Sequence, residues 1–162
     1  MNSNTLMRLV LLTTSAVLVT STALAVEGSD TGYSMLLPTA SVKTTKPDGG
    51  VSTRNTHKGF AVTDNKESPL HNARMDCETT MVDDSSGTQI FEYITCNFMQ
   101  ADGDEAYMFV AFSPEMPPNM KFFGGTGKWK GLTGTLENTG EPFHWPDESG
   151  IYVNWAITWS TP

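Results

Sequence analysis

The chain has 162 residues, of which 38% are hydrophobic, enough for one domain with a sizeable core. Eighteen acidic residues against ten basic ones give a formal net charge of −8. A surface this acidic repels nucleic acids and anionic lipids, and no basic cluster opposes that conclusion. We therefore expect neither as a partner.

The first 25 residues have the pattern of a secretory signal peptide. Arg8 precedes an apolar run over residues 9–19, and Ala23-Leu24-Ala25 matches an A-x-A processing site. The run is too short for an integral membrane anchor, so we predict cleavage after Ala25 and a periplasmic or secreted protein. The segment contains one of the ten basic residues and no acidic residue. The chain that remains after cleavage has nine basic and eighteen acidic residues and therefore a formal charge of −9.

Residues 26–55 are rich in Ser, Thr, Gly and Lys, and residues 33–37 are the only strand-like run among them. Pro47-Asp48-Gly49-Gly50 predicts a turn or loop. We expect a flexible N-terminal arm with the first strand over residues 26–55, and a barrel body over residues 56–162. The next strand is predicted at residues 58–63.

Two alternating segments, residues 72–82 and 88–99, predict a β-hairpin centred on Ser86-Gly87. In that register Cys77 faces Cys96, and the other opposed pairs are Met75 with Phe98, Thr79 with Ile94, and Met81 with Glu92. Directly opposed residues lie within disulfide range. These are the only cysteines, and an exported protein meets oxidants, so we predict a Cys77–Cys96 disulfide; two buried thiols are the alternative.

Glu92 is the one charged residue on the apolar face of the second segment. A carboxylate held among apolar side chains has a raised pKa and can act as a general acid or base, which makes Glu92 the catalytic candidate. Its position a few residues from the turn equally suits a solvated residue at the rim of the barrel. We do not predict an enzyme from this residue alone.

The run EAYMFVAF at residues 105–112 follows a turn at Asp102-Gly103-Asp104 and is apolar on both faces. A strand covered on both faces in a small barrel indicates packing by the N-terminal arm or by a second subunit, so a homo-oligomer is one expectation. The three histidines, His57, His71 and His144, have no ligand spacing, and we predict no metal and no cofactor.

Residues 122–136, FFGGTGKWKGLTGTL, contain five glycines between aromatic and branched residues. This composition predicts a sharply bent corner between two strands that lie close to their neighbours. Trp129 follows Lys128 where a Walker A loop needs Ser or Thr, and Lys130 replaces the last glycine of a dinucleotide fingerprint, so neither phosphate-binding motif is present.

This stretch resembles the glycine signature of the allene oxide cyclase and dirigent-like β-barrels, including uncharacterised bacterial exported proteins. The residues that carry the resemblance are Gly124, Gly125, Thr126, Gly127, Lys128, Trp129, Gly131 and Gly134. It implies a barrel fold, and by analogy with the plant cyclases a cofactor-free isomerase or cyclase. A glycine signature transfers fold better than chemistry.

The last strand, residues 151–160, places Trp155 and Trp159 on one aliphatic face. About eight strand-like runs without a helix predict an all-β, closed antiparallel barrel. Such a barrel just holds side chains or one small ligand. We therefore expect a non-enzymatic barrel that binds a small apolar or aromatic ligand inside, with a cyclase or a structural protein of the cell envelope as alternatives. The candidate wall residues are Met75, Phe98, Trp155 and Trp159.

Overall fold

A computed structural model describes residues 25–147 and 149–162. The predicted signal peptide lies outside the described residues apart from Ala25. The described part contains no α-helix and is built from nine antiparallel strands and one short 3-10 turn at Gly127–Trp129. The strands are β1 Val26–Thr45, β2 Val51–Val62, β3 Ala73–Asp83, β4 Gln89–Met99, β5 Glu105–Ser113, β6 Met116–Gly125, β7 Thr133–Asn138, β8 Phe143–His144 and β9 Ile151–Thr161.

Eight of these strands form a closed barrel, as the sequence predicts. They follow one another around the wall in chain order from β1 to β7, and then β9 pairs with both β7 and β1 to close the circle. The two-residue β8 pairs only with the start of β9. The β6–β7 ladder has two residue pairs, Lys121 with Thr135 and Phe122 with Gly134, and is much shorter than the β5–β6 ladder.

The N-terminal arm expected at residues 26–55 is part of the barrel wall in the structure. Residues 26–36 of β1 pair with β9, and residues 33–45 pair with β2. Gly28 and Gly32 lie opposite Trp159 and Trp155, and a Cβ at either glycine would overlap the facing indole. The Gly- and Ser-rich composition that predicts an arm therefore makes room for bulky rings on the neighbouring strand.

The β3–β4 hairpin has the predicted register. Cys77 faces Cys96 and the two form a disulfide, which confirms that prediction. Met75 faces Phe98, and Met81 faces Glu92. The inward residues of this hairpin join the single hydrophobic core of the barrel, in which Phe98 is 1% exposed.

The glycine-rich corner joins β6 to β7 through the 3-10 turn. Thr126 forms two hydrogen bonds with the backbone of Glu105, one through its N–H and one through its hydroxyl oxygen. A Cβ at Gly125 would overlap the carbonyl oxygen of Glu105, and Gly127 has a φ of 50°. Three more glycines of the signature, Gly124, Gly131 and Gly134, also have positive φ angles, so the corner needs glycine for its bends and its close contacts.

Candidate ligand-binding groove

The four predicted wall residues point into the barrel and lie in its core. Met75, Phe98, Trp155 and Trp159 are each at most 4% exposed. The indole N–H of Trp155 donates a hydrogen bond of 2.9 Å to the hydroxyl of Ser34, which fixes that ring against β1. A ligand inside the barrel would have to displace these side chains, because close-packed interiors leave little free volume.

An open groove lies on the outer face of the barrel. It is a groove of about 530 Å³ that runs across β2, β3, β4 and β5 and ends at the side chain of Phe123. We call it the outer groove. Its lining residues are Thr39, Thr56, His57, Lys58, Asp76, Cys77, Glu78, Thr95, Cys96, Asn97, Tyr107 and Phe123.

Strand register explains why mainly polar residues line this groove. Thr56, Glu78 and Thr95 are cross-strand neighbours in one row, and Asp76 and Asn97 belong to the next row. Because alternate residues of a strand face opposite sides of a sheet, these side chains point outward while Cys77 and Cys96 point inward. The strands thus have an apolar inner surface and an outer surface rich in hydroxyl and amide side chains.

Aromatic side chains form one end of the outer groove. The ring centroids of Tyr107 and Phe123 are 6.0 Å apart, those of Phe109 and Phe123 are 5.9 Å apart, and those of Tyr93 and Phe109 are 6.4 Å apart. Phe123 is 55% exposed although it lies in the middle of the cluster. These four rings, which we call the aromatic cluster, present a broad apolar face to solvent.

A β-bulge directs Phe123 into this cluster. The β5–β6 register shifts between Tyr107 and Met108, so that Tyr107 pairs with Gly124 and Met108 pairs with Phe122. Phe123 is the extra residue and projects outward, whereas Phe122 is buried in the core. The apolar residues on both faces of the run 105–112 predict a covered outer face, whereas no local pattern in the sequence indicates Phe123 or the polar rows beside it.

Both groove carboxylates are engaged in surface ion pairs. Glu78 Oε2 lies 2.6 Å from Arg54 Nη2, and Asp76 Oδ2 lies 3.0 Å from Arg74 Nη2. The Arg54 pKa is raised by its hydrogen bond to Glu78. Within the described residues, the side-chain partners of these two carboxylates are the arginines Arg54 and Arg74.

Two ionisable side chains on the strands that form the groove have shifted pKa values. Burial lowers the pKa of His57, which lies on the inner face opposite Cys77. The hydroxyl of Tyr107 donates a 2.8 Å hydrogen bond to Glu105, and this bond raises the Tyr107 pKa. Of the two, only the Tyr107 hydroxyl faces the outer groove, and its raised pKa keeps it uncharged near pH 7.

Asn97 supplies a polar group without a partner. Its Oδ1 atom is buried and has no hydrogen-bond partner among the described residues. By contrast, the neighbouring hydroxyls of Thr39 and Thr56 bond to each other at 2.8 Å. A buried amide acceptor without a donor costs free energy, so this atom is a local energetic cost beside the groove.

Glu92 lies away from the outer groove. It is half-buried near the start of β4, where it accepts a 3.2 Å hydrogen bond from Gln89 and faces Met81 and Phe112 on the flanking strands. No second titratable side chain is bonded to it in the described part of the chain. Its catalytic role stays a prediction without a partner residue.

The histidines are not gathered into a metal site. Within residues 25–147 and 149–162, no three His, Cys, Asp or Glu side chains are placed to hold a metal ion. The same residues include no helix that is long and apolar enough to cross a membrane.

The fold and the groove define a closed antiparallel β-barrel protein with an aromatic and polar outer surface. No protein-family model and no curated protein match the chain. Among solved structures, it is similar to the crystal structure of a protein of unknown function from the DUF3224 family of Shewanella oneidensis MR-1. The sequence identity is 10%, the TM-score is 0.45, and the match covers 83% of this chain and 97% of that one. At that level of similarity we infer neither fold nor function from it.

Proposed function

We propose that the protein is an exported, non-catalytic barrel that binds a small aromatic ligand in the outer groove. The observation that carries this proposal is the exposed ring of Phe123, held beside Tyr107 at the end of a groove of about 530 Å³. This volume lies in the range of small-molecule sites. The ligand ring stacks on Phe123, and its polar substituents reach Thr95 and Asn97.

Export is supported by the N-terminal sequence and by the disulfide. The apolar run and the A-x-A site have the order of a signal peptide. Disulfides persist in oxidising compartments, and Cys77 and Cys96 are bonded. Kinship with the allene oxide cyclase and dirigent-like barrels belongs to the same proposal, supported by the glycine signature and by the closed barrel.

Binding is favoured over isomerase chemistry by the state of the charged groups. The groove carboxylates Asp76 and Glu78 face arginines, and neither is hydrogen-bonded to a nucleophile or histidine. Apart from the ammonium group of Lys58, the groove offers a ligand uncharged aromatic, hydroxyl and amide groups. Such groups position a ring with modest energies of about 0.5–1.5 kcal/mol per aromatic pair.

The test is ligand-observed NMR on the mature chain with phenols, indole and short aliphatic acids of similar size. We expect saturable binding of the aromatic compounds, weakened about threefold to tenfold by Phe123→Ala through loss of one stacked pair. Phe143→Ala is the matched control, because Phe143 is 56% exposed and lies outside the groove. Absence of binding across the panel, or equal binding by Phe123→Ala, would overturn the proposal.

Tryptophan fluorescence distinguishes the outer groove from the barrel interior. Trp129, Trp155 and Trp159 are buried, and no tryptophan lines the groove. A ligand in the groove leaves the emission of these indoles unchanged, whereas one that enters the core shifts or quenches it. Because Trp145 is partly exposed outside the groove, the measurement uses a Trp145→Phe variant; a strong change on binding would then place the ligand beside a buried indole and contradict the groove.

A further inference from the structure

A second, smaller pocket lies at the end of the barrel beside the glycine-rich corner. It has a volume of about 270 Å³ and is bordered by the β2–β3 loop, the turn between β4 and β5, and the 3-10 turn. We call it the corner pocket. Its lining residues are Lys66, His71, Asn72, Gln100, Ala101, Asp102 and Lys128.

Buried hydrogen bonds hold the floor of the corner pocket. The side chain of Gln100, which is 7% exposed, donates to the carbonyl of Ser68 at 2.8 Å. Its carbonyl oxygen accepts a 3.1 Å hydrogen bond from the indole of Trp129. The Gln100 amide thus connects the segments that contain Ser68, Gln100 and Trp129. These hydrogen bonds fix the backbone from which the side chains of the pocket project.

One wall of the pocket presents a directed amide donor. His71 Nδ1 lies 2.8 Å from the carbonyl oxygen of Thr63, and because a carbonyl only accepts, Nδ1 carries the proton. Nε2, the other ring nitrogen, lies 3.1 Å from Asn72 Nδ2 and accepts its hydrogen bond. The second hydrogen of the Asn72 amide is left to donate. Asn72 has a φ of 46°, the one positive φ of a non-glycine residue in the described chain, and such outliers gather at functional sites.

The pocket is positively charged although the protein is acidic. It holds Lys66 and Lys128 against the single carboxylate of Asp102, while the whole chain has a formal charge of −8. Lys128 Nζ lies 2.6 Å from Asp102 Oδ2, and the backbone N–H of Lys128 donates to Asp104. Lys66 has no carboxylate within salt-bridge distance among the described residues.

We propose that the corner pocket binds a small oxyanion, the phosphate, sulfate or carboxylate group of a small solute. Lys66 and Lys128 supply the positive charge, and the Asn72 amide supplies a hydrogen bond of fixed direction. Lysine binds such groups as a flexible point charge, which suits a pocket of this size. The site is separate from the outer groove and does not depend on the proposed aromatic ligand.

The test is a titration of the isotope-labelled mature protein with inorganic phosphate, followed by backbone amide NMR at constant ionic strength. We expect saturable shifts at Asn72, Ala101 and Lys128. Lys66→Met weakens binding about tenfold, the effect of losing one charged hydrogen bond. Lys130→Met is the matched control, since Lys130 is an exposed lysine two residues from Lys128 that does not line the pocket.

Asp102→Asn provides a variant with the opposite expected effect. Removal of the carboxylate that pairs with Lys128 Nζ frees this ammonium group for the ligand, so phosphate binding tightens severalfold. Titrations with sulfate and acetate then show whether a dianion or a carboxylate is preferred. Chloride that produces the same shifts, or Lys66→Met that binds phosphate as tightly as the unmodified protein, overturns the proposal.

Discussion

Gly28 lies opposite Trp159 across the strand pair that closes the barrel, and the indole occupies the space that a side chain at Gly28 would need. This contact links the first strand to the last one. We predict that Gly28→Ala lowers the free energy of unfolding by about 1–3 kcal/mol, because an added methyl group overpacks the core. Urea denaturation monitored by circular dichroism measures the change.

Gly140→Ala is the control for that substitution. No atom lies within 4 Å of a Cβ built at Gly140, and its φ angle is not positive. We expect a change within about 0.5 kcal/mol, the usual range for surface substitutions. Equal destabilisation by the two variants would mean that the packing of β1 against Trp159 is not what makes Gly28 necessary.

The disulfide should contribute a large share of the stability. Cys77 and Cys96 are 19 residues apart, and a cross-link over a loop of this length stabilises a protein by about 3 kcal/mol, mainly by restricting the unfolded chain. The double variant with Cys77→Ala and Cys96→Ala should lose about that amount. Reductant should destabilise the unmodified protein and leave the double variant unchanged; a response to reductant in both would argue against this origin.

His57 should make stability depend on pH just below neutrality. Burial lowers its folded-state pKa below the unfolded value of about 6.5. The unfolded chain then binds the proton more readily, so stability is full above about pH 6.5 and falls as pH decreases toward the lowered pKa. Thermal unfolding at intervals between pH 7.5 and pH 5 measures the slope.

Replacement of His57 by Gln should flatten this slope, since no proton is then taken up at that position. His144→Gln is the control, because His144 is exposed on β8. A slope that persists in His57→Gln and disappears in His144→Gln would contradict the assignment.

Loss of a buried hydrogen bond should also be measurable. Ser34 is 4% exposed and accepts the indole N–H of Trp155. Ser34→Ala leaves that N–H buried without a partner, at a cost of about 1–3 kcal/mol. Ser41→Ala, on the exposed half of β1, should have little effect. Denaturant midpoints of the two variants compare them directly, and similar midpoints would mean that the bond contributes nothing net.

The export proposal has a direct chemical readout. Cleavage after Ala25 yields a chain that begins at Val26, and N-terminal sequencing of protein from the periplasmic fraction detects it. Ala23→Leu, which replaces a small residue of the A-x-A site, should reduce processing. Retention of the full N-terminus on exported protein would contradict the predicted site.

Local patterns in the sequence were enough to predict the β3–β4 hairpin and its disulfide. Alternation of apolar residues is set by the two faces of a strand, and the Ser86-Gly87 turn fixes which residues oppose one another. Cys77 and Cys96 then meet without any information from the rest of the chain. The residues of β9 that face inward are predicted by the same alternation of apolar and polar residues.

The course of β1 and the outer groove depended on partners distant in sequence. In the sequence alone, Gly28 and Gly32 indicate a flexible segment. Their role becomes clear only from the structure, in which they lie opposite Trp159 and Trp155. Phe123 faces outward because a bulge shifts the β5–β6 register, and no periodicity in residues 116–125 encodes that bulge. The groove is therefore a property of strand order and register, neither of which a local pattern contains.

The pairing of Val26 with Thr161 sets the order in which this protein can finish folding. A ribosome or a translocation channel delivers the N-terminus first, so β1 emerges long before its second neighbour. Until β9 arrives, the indole-sized recesses at Gly28 and Gly32 stay empty and one side of β1 exposes unpaired backbone groups. The newly made chain is then vulnerable to proteases and to aggregation, a hazard that ends only when the final strand docks.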